Sequence, residues 1–234
     1  MQVNSNWRAI LATAVLLFAP PLAADDLINA DRPGIADSSV VVNPGTLQAE
    51  LGLERDVHPD LITTPLLLRY GLTKEFELRF ETSGWAHIDG HDGLMPMSIG
   101  AKYHFFDKPS LALIGRIFPP SGSGIFRSHE TAADLRLAVD KDLNEQWSVE
   151  GNAGIAHGDG NNVATAAATL QYNLSPKVNV FIDGGATSSP SSLILDAGAA
   201  WIVGNDLQLD VSVGWGAHGD APDRFVAAGI ARRF

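Results

Sequence analysis

The chain has 234 residues, a formal charge of −11 and no Cys. That length suits one domain, the missing Cys excludes disulfide frameworks, thiolate zinc sites and thiol nucleophiles, and the acidic balance excludes nucleic acid as a partner, since phosphates need a basic surface. Charged residues are 18 % of the chain, below the roughly one quarter usual in soluble domains, so an ordinary water-exposed surface is not what this composition describes.

Residues 1–24 read as a signal peptide. Arg8 supplies a positive start, Ala9–Phe18 an apolar run, Pro20 and Pro21 a break, and Ala23 and Ala24 small residues for cleavage. The apolar run is shorter than the ~20 residues of a spanning helix. No later stretch is apolar enough for a membrane helix, so any span must be made of strands. Residues 25–45 are polar and precede the first strand. They are expected either to enter a barrel as a lumen plug or to stay as a periplasmic tail. Within them Asp31, Arg32, Pro33 and Gly34 predict a rigid turn, because Pro fixes φ and Gly tolerates the left-handed region. Arg32 or Asp31 is the expected contact with an inner wall.

From residue 46 to 234 the period is two. Phe76, Leu78 and Phe80 alternate with Glu77, Arg79 and Glu81; Leu207, Leu209, Val211, Val213 and Trp215 alternate with Gln208, Asp210, Ser212 and Gly214. Such alternation lines one face of a strand. It predicts strands near 46–55, 62–71, 75–84, 94–106, 110–118, 130–140, 146–156, 163–173, 177–186, 192–203, 206–216 and 224–234. These are about twelve segments of ~9–11 residues, the length a tilted strand needs to cross a bilayer. Short connections at Leu72–Lys74, Asp107–Pro109, Lys141–Glu145, Ser175–Lys177 and Gly204–Asp206 alternate with longer ones near 56–61, 85–93, 119–129, 157–162, 187–191 and 217–223. Short periplasmic turns and long external loops are the outer-membrane pattern. The expected fold is all-β: an antiparallel up-and-down transmembrane barrel of about 12 strands with a polar lumen, in the outer membrane of a Gram-negative cell.

In such a barrel the apolar face meets outer-membrane lipid and the polar face lines the lumen. The expected lumen residues are Glu50, Arg69, Glu77, Arg79, Lys102, Arg116, Asp134, Arg136 and Glu150, with opposite charges pairing across the ladder. Trp147, Trp201, Trp215, Tyr103, Phe105 and Phe76 lie near strand ends, where interface girdles form. Phe234 shares a face with Val226, Ala228 and Ile230 and is the expected assembly signal for the barrel-assembly machinery, although Arg232 stands where that signal usually has an apolar or aromatic residue.

Three external segments repeat His-x-Asp: His87-Ile88-Asp89, His157-Gly158-Asp159 and His218-Gly219-Asp220. His with carboxylate suits a divalent metal or acid–base hydrolysis; equally, Gly, Asp and His are common in solvated loops. There is no Gly-x-Ser-x-Gly elbow, His-Glu-x-x-His pair or phosphate-cradling loop. No metal, cofactor or catalytic residue is therefore expected.

The segment Ala30-Asp31-Arg32-Pro33-Gly34-Ile35-Ala36-Asp37-Ser38, with Val42-Asn43-Pro44-Gly45 and Leu47-Gln48-Ala49-Glu50, resembles the start of an outer-membrane transporter family named after the meta-cleavage (MetA) pathway of phenol degradation. Leu66-Leu67-Leu68-Arg69-Tyr70-Gly71-Leu72-Thr73, Ile99-Gly100-Ala101-Lys102-Tyr103 and the ending Ala221-Pro222-Asp223, Gly229 and Arg233-Phe234 extend the resemblance over nearly all of the chain after the signal. It implies a barrel that moves hydrophobic or aromatic compounds. The expected function is a passive channel or transporter for a small-molecule solute, not an enzyme; the alternatives are an outer-membrane enzyme using loop His and Asp, and a structural barrel without passage.

Overall fold

The computed structural model describes residues 26–234; the expected signal segment at 1–24 lies outside the described residues. Fifteen strand elements follow in chain order: β1 Leu47–Val57, β2 Leu61–Thr63, β3 Leu66–Gly71, β4 Phe76–Thr82, β5 Trp85–Ile88, β6 His91–Leu94, β7 Met97–Asp107, β8 Ser110–Phe118, β9 Ala132–Asp142, β10 Trp147–Gly158, β11 Asn161–Ser175, β12 Val178–Ser188, β13 Ser191–Val203, β14 Leu207–Gly219 and β15 Arg224–Arg233. Neighbours pair antiparallel, and β15 returns to pair with β1 from Arg233↔Gln48 to Arg224↔Val57. Because β2 continues into β3, β4 into β5 and β6 into β7, the elements form a closed 12-strand barrel. Closure leaves no strand edge.

The three divided strands are adjacent in the wall, and all are cut at the same level. The residues at the cuts explain it. Pro65 and Pro96 have no N–H for the ladder, and Gly84 sits at φ +70. Two threonines bridge the gaps: Trp85 N–H donates to Thr64 Oγ1 at 2.8 Å and Gly84 N–H to Thr82 Oγ1 at 3.0 Å. The sequence predicts unbroken strands at 62–71 and 94–106 across two of these cuts and ends a strand at the third, with loop at 85–93 where β5 and β6 stand.

Three of the expected external loops, 85–93, 157–162 and 187–191, are mostly strand. The tip between β5 and β6 is Asp89-Gly90, at φ 50 and 77, and that between β10 and β11 is Asp159-Gly160, at φ 51 and 73. Two-residue tips with both φ positive are type I′ hairpin turns, for which Asp-Gly is a preferred pair. Between β8 and β9, residues 119–131 form a true loop, with a 3-10 turn at Gly124–Phe126. It folds back onto β6: Leu94 N–H donates to Ser123 Oγ at 2.8 Å, and Ser123 N–H to Leu94 O at 2.9 Å.

The wall inverts the polarity of a soluble protein. Leu53, Ile99, Leu135, Ile155, Ile182, Val211 and Val213 are exposed on the outside, while Gln48, Glu50, Arg69, Glu77 and Lys102 are buried inside. Only a bilayer makes that arrangement favourable, since lipid accepts the apolar belt and the barrel interior solvates the charges. Tyr70, Tyr103, Phe105, Phe106, Trp147 and Trp201 are exposed near the short-turn end, and Trp85 and Trp215 near the other. They form the interface girdles.

The closing seam runs one residue past β15. Phe234 N–H donates to Leu47 O at 2.8 Å. Arg233 and Ala231 are buried, so alternation puts Arg232 and Phe234 on the lipid side. The Arg232 guanidinium lies 5.6 Å from the Phe234 ring centroid. This cation–π contact covers the charge at the interface. Phe234→Ser removes that ring from the seam and is expected to lower the yield of correctly assembled barrel, read as loss of heat-modifiable migration on a gel. Unchanged yield and migration would remove any role for the ring.

Candidate functional site

The interior is occupied by the chain's own N-terminal segment. It enters from the short-turn end, where Ile28 packs with Ile202 and Ala231 and Arg233 pairs with Asp206 at 2.8 Å and Asp26 at 3.4 Å. It leaves along β3 and β4, where Val42 N–H donates to Glu77 Oε2 at 2.9 Å.

At the centre Asp31 meets three cations. Arg79 Nη1 approaches at 2.5 Å, Lys102 Nζ at 3.2 Å and Arg69 Nη1 at 3.4 Å. Wall carboxylates complete the cluster. Glu77 takes Arg69 Nε at 3.0 Å and Arg79 Nη1 at 3.1 Å, and Glu50 takes Arg69 Nη1 at 3.3 Å. Arg79 also reaches Asp37 at 2.9 Å and Glu81 at 2.8 Å. Burial alone would raise the Asp31 carboxyl, but Arg69, Lys102 and Arg79 hold it well below the usual carboxylate range. Asp37 is held low against the same burial by Arg79 and Arg136.

The rest of the wall solvates the segment's backbone. Arg32 N–H donates to Glu50 Oε2 at 2.9 Å, Ile35 N–H to Asp183 Oδ2 at 2.7 Å, Asp37 N–H to Asn152 Oδ1 at 2.7 Å and Ser39 N–H to Asp140 Oδ2 at 2.9 Å. In return Arg69 Nη2 donates to Val40 O at 2.7 Å, Lys102 Nζ to the same oxygen at 3.1 Å and Gln208 Nε2 to Arg32 O at 2.9 Å. A buried strap without secondary structure must place every N–H and C=O somewhere; here the wall supplies partners. Arg32 itself crosses to Asp210 at 3.2 Å, its guanidinium lying against Gly52 of β1 and Gly229 of β15. A Cβ at either glycine would collide with it.

Of the expected lumen residues, Glu50, Arg69, Glu77, Arg79 and Lys102 form this central cluster. Arg116, Asp134 and Arg136 form a second one nearer the external side. There Arg116 pairs with Asp134 and, at 2.6 Å, with Glu81, while Arg136 Nη1 reaches Asp37 at 2.7 Å. Glu150 stands apart, on the wall of a cavity of 780 Å³ at the short-turn end. Asp31 and Arg32 make the strongest strap contacts, and Pro33-Gly34 turns the chain between them and Asp183. Sequence reasoning missed Asp37, Ser38, Ser39, Asp140, Asn152, Asp183, Gln208 and Asp210 as strap contacts. Strand parity puts the wall members inside, but parity carries no information on which strap atom each one meets.

Two of the three His-x-Asp copies are turn chemistry, while in the third His218 lies near the end of β14 opposite Leu193. His87 Nδ1 lies 2.9 Å from Asp92 Oδ1, and His157 Nδ1 lies 2.9 Å from Asn162 Oδ1. Each is a facing cross-strand pair, one residue in from the tip-flanking pair. Among the described residues no group of three or more His, Asp or Glu is placed to hold a metal ion.

Two cavities flank the strap: the one of 780 Å³ and another of 450 Å³ on the external side. A third, of 370 Å³, opens where the three strands are cut, with Pro65, Leu66, Leu67, Pro96 and Phe118 on one part of its wall and Arg32, Glu50, Glu81 and Arg116 on another.

The barrel is similar to an outer membrane channel from Pseudomonas putida F1, at TM-score 0.67 and 16 % identity over 86 % of this chain and 99 % of that one. It is similar to the KdgM porin at TM-score 0.60 and 12 % identity, over 80 % and 99 %. It is also similar to the β domain of the Bordetella autotransporter BrkA at TM-score 0.51 and 14 % identity, over 80 % and 97 %. Barrels of different use thus share the architecture, and at these identities the likeness shows the fold alone. No curated protein matches the sequence. A family pattern does match, over residues 30–234, from the Asp31-Arg32-Pro33-Gly34 turn to the closing strand, and the chain belongs to that family, described as "Putative MetA-pathway of phenol degradation".

Proposed function

We propose that the protein is a passive outer-membrane channel for small apolar or aromatic compounds, with its N-terminal segment as a lumen plug. The observation that carries this reading is the division of the interior: cavities of 450 Å³ and 780 Å³ lie on either side of a strap held by polar contacts. Passage then requires displacement of a peptide, and the hydrogen-bonded wall need not open. A barrel built only as a scaffold gains nothing from cavities of that size, since filled interiors are the more stable ones. The third cavity sets Pro65, Leu66, Leu67, Pro96 and Phe118 beside Arg32, Glu50, Glu81 and Arg116, a lining that suits a solute with an apolar body and one polar group, such as a phenol. No nucleotide-binding motif is present, so solute moves down its gradient. Phenol is the first compound to test, given the description of the family.

The test uses a Gram-negative host with intact lipopolysaccharide, which slows unassisted entry of apolar compounds. Initial uptake of labelled phenol at limiting concentration is expected to rise severalfold when the gene is expressed. Equal uptake with and without it, for phenol and a panel of other small aromatics, would overturn the reading.

A further inference from the structure

Two side chains on the wall of the 370 Å³ cavity carry hydrogen-bonding atoms without partners. The first is Ser98 of β7, opposite Glu81 of β4. It is 1 % exposed, and its Oγ has no hydrogen-bond partner among the described residues. A buried hydroxyl left unpaired is unfavourable. This one borders open space, and rotation about χ1 between staggered wells turns it toward that space. The second is Arg32 of the strap. Its Nη2 donates to Asp210 Oδ1 at 3.2 Å, while its Nε has no partner. Its Nη1 lies against Gly52, whose N–H donates to Pro65 O at 2.8 Å. That edge of the guanidinium is therefore beside the Pro65 wall of the cavity, and it donates to no group among the described residues.

The other charged groups around this space are already engaged. Glu50 accepts from Arg32 N–H at 2.9 Å, from Gln48 at 2.8 Å and from Arg69 at 3.3 Å. Glu81 takes Arg79 at 2.8 Å and Arg116 at 2.6 Å, and Arg116 is held further by Asp134. Thr82 Oγ1 accepts from Gly84 N–H at 3.0 Å. With two cations and two carboxylates on the wall, a charged ligand meets a like charge whichever sign it has. An uncharged hydroxyl does not. It accepts from Arg32, and with the Ser98 hydroxyl it can act as donor or acceptor. Leu66, Leu67 and Phe118 supply apolar wall for the body that carries it.

We propose that Ser98 and Arg32 form a hydroxyl-reading subsite, where an uncharged aromatic hydroxyl docks with its ring against Leu66, Leu67 and Phe118. Ser98 is then a specificity-determining residue. A site built to hydrogen-bond a hydroxyl rejects the analogue lacking it, because the site's own buried polar groups are left unpaired; an apolar pocket has no such means. This deepens the proposed function and rests on it, but equilibrium binding requires no passage.

The test is a fluorine NMR titration of the folded full chain in detergent at neutral pH. The probes are para-fluorophenol, fluorobenzene and para-fluorobenzoate, with a detergent blank to subtract partition into micelles. Para-fluorophenol is expected to bind at least about tenfold more tightly than fluorobenzene, the scale of one hydrogen bond to a charged donor, and more tightly than para-fluorobenzoate. Ser98→Ala should weaken para-fluorophenol about fivefold, the scale of one hydrogen bond lost, and leave fluorobenzene unchanged. Should Ser98→Ala fail to show heat-modifiable migration, Arg32→Met serves, with a similar loss expected. Para-fluorophenol binding no tighter than fluorobenzene, para-fluorobenzoate binding tightest of the three, or a folded variant that keeps the full preference would overturn the proposal. A barrel that prefers para-fluorophenol yet lets no solute through defeats only the channel reading. One that carries phenol without that preference defeats only this one.

Discussion

Deleting residues 25–40 should raise the single-channel conductance of the reconstituted barrel severalfold and leave it folded. The deletion removes the strap between the 450 Å³ and 780 Å³ cavities, and water fills the opened path. The wall survives because its own cations keep wall carboxylates as partners without the strap. Arg69, Arg79, Lys102, Arg116 and Arg136 still pair with Glu50, Glu77, Glu81 and Asp134. Once wet, those pairs resemble surface ion pairs and need little geometry. In the full chain, acid should not mimic the deletion. The Asp31 and Asp37 carboxyls are lower when docked than when free, so their contribution to docking is complete above the free values and is lost only as pH falls through the docked ones. Between about pH 8 and pH 5 their titration leaves conductance unchanged. Unaltered conductance and assembly after the deletion would show that the strap is not a plug.

The second large effect is expected from Arg79→Met. Arg79 is 1 % exposed and touches Asp31, Asp37, Glu77 and Glu81 within 3.1 Å. Met fills part of the volume and leaves Asp31, Asp37, Glu77 and Glu81 each one cation short. Removing one member of a buried ionic cluster costs about 3–5 kcal/mol, which should show as a lower urea midpoint. Part of that cost can be escaped by undocking the strap, which takes Asp31 and Asp37 to water, so the variant should also conduct more than wild type. Combining it with the deletion gives the decisive comparison. With Asp31 and Asp37 gone, Arg79→Met should cost less than in the full chain, by a coupling of about 1–3 kcal/mol. Strict additivity would mean that Arg79 stabilises the wall and has no part in holding the strap.

Much of this barrel can be read from residue parity. Leu209, Val211 and Val213 against Gln208, Asp210 and Ser212 give both the strand and its lipid side, because membrane strands carry a period of two with no interruption by packing partners. What parity hides is local geometry. Pro65 and Pro96 are visible in the sequence, yet their level in the wall depends on register with Gly84, a relation between strands that no single segment encodes. Asp89-Gly90 and Asp159-Gly160 are hairpin signals that look like loop composition when read together with the histidines beside them. The strap is hardest of all. Residues 26–44 have no periodicity, since their backbone is satisfied by Glu50, Asp140, Asn152 and Asp183 rather than by themselves, and those partners lie up to 148 positions away.

The strap touches the ring on all sides: Glu50 on β1, Glu77 on β4, Lys102 on β7, Asp140 on β9, Asn152 on β10, Asp183 on β12 and Asp210 on β14. Its span between opposite contacts is fixed by covalent geometry at a few residues' reach. It thus works as a gauge of circumference. Duplicating a hairpin, an easy route to a wider barrel, would carry Asp183 and Asp210 away from Ile35 and Arg32, and the strap could bridge only part of the larger ring. Strand number and the Asp31-Arg32-Pro33-Gly34 segment are therefore bound to change together, and a relative with more strands should lack this turn or fill its interior by other means.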